Sequence, residues 1–189
     1  MSPATQMARY RHALRRFRRN RRGSAALEFA LVAPVFFALL FAIIETAMVF
    51  FASQVLETVT QDSARLIMTG QAQNGLVTGC STPCTQAQFK TYVCSQISAM
   101  FDCTNGIYID VRSYTASQFG SVTLTQPIDS GGNFLPTMQY NTGGSGSIVV
   151  VRLFYQWPLF VTSLGFNSAN LNNKKRLLTA TAAFKNEPF

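Results

Sequence analysis

The sequence contains one histidine, His12, and only eight acidic residues among 189. If the apolar stretch described below crosses a membrane, no serine, cysteine or aspartate beyond it has a histidine on its own side, which argues against a conventional nucleophilic triad. Asp102 and Asp110 are candidates for paired carboxylates, but they are separated by a helix end and a strand, and nothing makes them converge. The glycine-rich "NTGGSGS" at Asn141 to Ser147 lacks the Lys-Ser/Thr ending of a phosphate loop and leads into a strand, so it reads as a flexible hairpin connection. The four cysteines follow C-x3-C-x9-C-x8-C, which does not resemble paired close-set zinc ligands. No enzyme, cofactor, metal site or small-molecule substrate is expected.

Charge is present but unevenly placed. The net charge of +8 belongs entirely to eight arginines between Arg9 and Arg22. From Ser24 onward, basic and acidic residues balance. In the tail, Met7, Tyr10, Leu14 and Phe17 recur at helical spacing between arginines. That pattern fits either a basic amphipathic helix on an anionic surface or a disordered charged leader. Nucleic acid is not expected as a partner: the run has little aromatic interleaving, and its place beside an apolar span already accounts for it.

That span, Phe29 to Phe51, has Glu45 as its sole ionisable member. As a helix it covers roughly 35 Å, enough for a ~30 Å hydrocarbon layer. The arginines place the amino end in the cytoplasm and the chain after about Ser53 outside. Glu45 lies near the outer third of the layer, where it could snorkel, be protonated or meet a partner, snorkelling being the simplest. The four cysteines then fall in an oxidising compartment and are expected as two disulfides. Pairing of Cys94 with Cys103 and of Cys80 with Cys84 is the expectation, although spacing leaves three pairings open.

Beyond the membrane the helical pattern continues through Val55, Leu56, Val59, Ser63, Leu66 and Ile67 and stops near Gly70. Pro34 is expected to remove one backbone bond and bend the helix. Thr85 with Gln88 predicts a capping box for a second helix to about Met100, with Phe89, Val93, Ile97 and Phe101 on one face. Alternating residues then predict strands at "GIYIDVRSY", "SIVVVRLFYQWP" and "RLLTATAAF", separated by the irregular stretches 115–146 and 159–175. The expected fold is α+β: a long amino-terminal transmembrane helix continuing into a soluble domain with a second helix and a roughly three-stranded antiparallel sheet. The expected divisions are a basic leader, 1–23, a long helix, 24–70, with its span at about 29–51, and an extracytoplasmic domain, 71–189.

The seam between tail and span carries a resemblance. A basic leader, Gly23, then "SAALEF" and an apolar helix resemble type IV prepilins, which a membrane-embedded peptidase cuts after the glycine. Ser24 would then become the first residue, with Glu28 fifth and Phe29 sixth, positions the resemblance assigns to peptidase recognition and assembly. The longer stretch from "RRGSAALEF" to "LIMTGQAQ" is similar to the TadE-like family of the tight-adherence pilus system, including the acid at Glu45 and the Asp-x-x-Arg of Asp62 and Arg65. "YVCSQISAMFDC", "VVVRLFYQWPL" and "FKNEPF" extend the likeness. The resemblance implies a pilin-like fold and a minor pilin or pseudopilin of a Flp-type pilus in the bacterial inner membrane. Its implied partners are the prepilin peptidase, other pilin or pseudopilin subunits and the assembly platform. Competing readings are an uncleaved single-pass anchor bearing an extracytoplasmic binding module, and a pseudopilin of a secretion system.

Overall fold

Residues 24–68 contain no glycine and are rich in alanine, leucine and other good helix formers. In the computed structural model they form one helix, α1, Ser24–Met68, unbroken through Pro34. The structure describes residues 23–103, 105–118, 120, 122–161 and 167–189. The basic leader before Gly23, with its amphipathic pattern, lies outside the described residues. The chain divides after Ile43 into a first unit and a second, Ile44–Phe189, which on the sequence expectation is the outer unit.

In the first unit no residue from Ala25 to Ile43 is buried, and Leu27, Phe29, Leu31, Phe36 and Phe41 are all exposed. An apolar helix with no covered side is built for lipid. Among the described residues, α1 is the one helix long and apolar enough to cross a membrane.

From Glu45 the burial pattern changes. Val49, Ala52, Leu56, Val59, Ser63 and Ile67 recur at steps of three and four and are all buried, while Gln54, Thr58, Gln61, Asp62 and Arg65 face outward. Gly70, at φ +77°, ends the helix in the left-handed conformation, and the Ala72 N–H donates to the Leu66 carbonyl at 3.1 Å. A side chain at Gly70 would also meet the Phe189 ring.

The second helix, α2, spans Gln86–Ile97 and starts at the expected capping box, with Thr85 and Gln88 each satisfying the other's backbone N–H. It stops short of the expected Met100. The N–H groups of Met100 and Phe101 both fold back to the Ile97 carbonyl. This turn sends Phe101 edge-on against Tyr155, 4.8 Å between ring centres.

Three strands follow: β1, Ile107–Tyr114; β2, Ile148–Pro158; and β3, Lys175–Lys185. They form an antiparallel sheet in the order β1-β2-β3, with Asp110 opposite Arg152 and Arg152 opposite Thr181. Because side chains alternate across a strand, Ile107, Ile109, Val111, Val149, Val151, Leu153, Leu178 and Ala180 share one face. They join the inward sides of α1 and α2 in the main core. Complete burial of residues such as Leu56, Phe89 and Leu153 contributes roughly 1.5–3 kcal/mol each.

The opposite face is covered by chain without regular structure. Phe134 packs edge-on against Tyr108, and Ile128 and Met138 close over Phe154, Leu171 and Leu177. This strap also pairs with the outer edge of β1: Val111 N–H donates to the Gln139 carbonyl and Asn141 N–H to that of Val111, at 2.8 and 2.9 Å. Its outer turn is held by Asp129, which accepts from the backbone N–H groups of Gly131 and Asn133. The Asn133 side chain, with those N–H groups, holds the Asp129 carboxyl below its usual range. The Gly-rich connection before β2 is pinned rather than loose. Asn186 donates from its side chain to the carbonyls of Thr142 and Gly144, both at 3.0 Å.

Tyr140, within the strap, turns its ring into the main core against Phe89, 5.7 Å between ring centres, and its buried hydroxyl has no partner among the described residues. Burial pushes the phenol from 10.0 up to about 12. The folded state therefore holds the proton more tightly than the unfolded state, so its contribution is complete below pH 10 and lost as pH rises through 12. Tyr140→Phe should remove this alkaline loss and stabilise the outer unit at neutral pH by about 1 kcal/mol, since an unpartnered hydroxyl is no longer buried. Urea denaturation at pH 7 and at pH 11 checks both outcomes.

Candidate assembly site on the long helix

The residues singled out by sequence lie along α1. Gly23 is exposed, and nothing lies within 4 Å of where a side chain on it would begin. Helix begins at the next residue, Ser24. Glu28 is exposed one turn further on, and Phe29 beside it is 69 % exposed. If a carboxylate at that position stayed in lipid without a partner, the cost would be several kcal/mol.

Glu45 corrects the expectation that it snorkels. Its side chain is turned into the outer unit and the residue is only 7 % exposed. The Phe160 N–H donates to Glu45 Oε1, as does the Val161 N–H at 3.0 Å. Sequence gave no sign of this contact, because its donors are backbone groups 115 and 116 residues away.

Asp62 and Arg65 are exposed, and neither takes part in an ion pair among the described residues. Asp62 lies on the rim of a groove of about 350 Å³ lined by Phe51, Val55, Thr58, Val59 and Ile97. Cys80 is joined to Cys84 and Cys94 to Cys103, with Cα atoms 4.7 and 5.6 Å apart. The second bridge ties α2 to the approach to β1.

Residues 23–65 match the family model described as TadE-like protein. That stretch is similar to the family, and the match does not extend over the rest of the chain. The match takes in Gly23, Ser24, Glu28, Phe29, Glu45, Asp62 and Arg65 and ends within α1. No curated protein and no solved structure matches the chain.

Outside the TadE-like segment the structure assembles a charged cluster that sequence reasoning missed. Asp110, which by sequence is only a candidate partner for Asp102, is completely buried between two arginines. Arg152 reaches Asp110 Oδ2 through Nη2 and Nε at 2.5 and 3.0 Å. Arg112 donates through Nε to both carboxylate oxygens, at 3.0 and 3.1 Å. Both arginines also hold the strap: Arg152 donates to the Thr125 carbonyl and Arg112 to that of Thr137. The Gln139 N–H completes the shell on Asp110 Oδ1 at 2.8 Å. Arginine suits this site because its planar fork can serve a carboxylate and a carbonyl at once.

Asp110→Ala would leave Arg152 buried without its counter-charge, and should destabilise the outer unit by about 3–5 kcal/mol. Arg112→Ala, at the more exposed member, should cost less than half as much. Urea midpoints of the two variants, compared at equal slope, measure the difference.

Proposed function

We propose that this protein is a minor pilin or pseudopilin that takes part in assembling a Tad, or Flp-type, pilus. In this reading a prepilin peptidase cuts between Gly23 and Ser24, and α1 then anchors the subunit in the inner membrane of a bacterium. The arginine-rich end faces the cytoplasm and the outer unit faces away from it. Other pilin or pseudopilin subunits and the assembly platform are the partners. The protein has no catalytic role of its own.

The observation that carries this reading is the coincidence at the start of α1 inside the TadE-like segment. An exposed glycine immediately precedes the helix, and a carboxylate follows one turn later on a surface otherwise suited to lipid. Cleavage would place a new amine on Ser24 near that carboxylate. An ion pair in a low-dielectric layer is favourable only when both charges arrive with good geometry. A Glu28 carboxylate that meets the amine of a neighbouring subunit satisfies that condition, so the electrostatics favour packing of α1 among similar helices. The exposed apolar residues of the first unit supply the remaining contact surface.

Two outcomes are expected in cells with an active peptidase. The wild-type protein should yield a mature chain starting at Ser24, by intact mass and amino-terminal sequencing, whereas a peptidase deletion should leave only full-length protein. Glu28→Gln should be processed at a normal level yet lower pilus number at least tenfold by electron microscopy. Unprocessed wild-type protein, or normal piliation by Glu28→Gln, would remove the basis of the proposal.

A further inference from the structure

The apolar surface of α1 does not end where the outer unit begins to cover it. Glu45 is the first buried residue of the helix, yet Met48, Phe50 and Phe51, further along on other sides, are still exposed. Phe50 is 68 % exposed, and the first exposed polar side chain after it is Gln54. At 1.5 Å per residue, Glu45 lies roughly 9 Å below Phe51 along the helix axis. Whatever part of the outer unit touches Glu45 is therefore at the depth of side chains suited to lipid.

That part is the chain immediately after β2, residues 159–161. Leu159 packs inward on the main core, while Phe160 points away and is 82 % exposed. The backbone N–H groups of Phe160 and Val161 both donate to Glu45. Non-helical backbone at membrane depth is tolerated only where its polar groups are satisfied within the protein, since each unsatisfied group costs several kcal/mol. A carboxylate at that depth is costly for the same reason. Glu45 and the two N–H groups remove each other's penalty, and the arrangement leaves the Phe160 side chain facing outward.

We propose that residues 159–161 form a tip embedded in the outer leaflet, with Phe160 against lipid acyl chains and Glu45 as the receptor that holds the tip at that depth. The partner is the lipid layer around α1, continuous with the surface the helix already presents. This rests on α1 spanning a membrane, and is independent of leader removal.

The test uses the full-length protein reconstituted in vesicles of phosphatidylethanolamine and phosphatidylglycerol. The photoreactive residue p-benzoylphenylalanine is placed in turn at Phe160, at Phe36 within the exposed apolar stretch, and at Leu76 in the exposed loop after α1. After irradiation, intact mass should show phospholipid adducts at positions 36 and 160 and none at 76. Adducts at 36 but no more at 160 than at 76 would overturn the tip while leaving the span in place. Their absence at 36 as well would overturn the span, and the tip with it. Glu45→Leu should lower the adduct yield at 160 several-fold and leave that at 36 unchanged; an unchanged yield at 160 would overturn Glu45 as the receptor.

Discussion

One helix must satisfy two surroundings, and the rest of the molecule is arranged around that constraint. From Ala25 to Ile43 no residue of α1 is buried, and Glu28 apart its side chains there are all apolar. After Glu45 one face is buried against the sheet and α2, and the opposite face becomes polar by Gln54. No break in the helix separates the two regimes. The change is made by side chains alone, with Glu45 at its start taking two backbone N–H groups from the distant chain after β2.

A three-stranded sheet is a thin element and exposes a second face once helices cover the first. Here the second face is closed by an irregular strap rather than by another helix. Apolar contacts of Phe134, Ile128 and Met138 supply one part of that closure. The other part is polar: Asp110 draws Arg112 and Arg152 together, Arg152 also donates to the Thr125 carbonyl, and Arg112 donates to the Thr137 carbonyl and the Thr125 hydroxyl. The Arg152 guanidinium also lies over Phe154, 5.2 Å from the ring centre, linking the charged and apolar halves. The cluster has the burial and pairing of a structural lock, and its reach explains why a long segment without helix or strand holds one course.

Elements set by local pattern were readable from the residues. The alternation at Ile107, Ile109 and Val111, the capping box at Thr85 and Gln88, and the helical stripe from Val55 to Ile67 each depend on neighbours in sequence. The end of α2 was misjudged because Phe101 continues the helical spacing, whereas its preferred place is against Tyr155 and Trp157 on β2. The roles of Glu45 and Asp110 were not readable at all. Glu45 binds main-chain groups, which leave no mark in residue identity, and Asp110 meets Arg152 only because strand register places them opposite each other. Recognition of the seam at Gly23 and Glu28 came from family likeness, not from any pattern of burial.

The order of strands has a consequence for how the outer unit is completed. The central strand, β2, depends on β3 for one of its two neighbours, and β3 contains some of the last residues of the sequence given. Leu178, Ala180 and Ala182 from that strand sit in the same core as Leu56 and Phe89. Until β3 docks beside β2, the core shared by α1, α2, β1 and β2 thus stays open where those residues belong. Sealing of that core waits on the pairing of β3 with β2, so neither strand is complete as a structural element without the other.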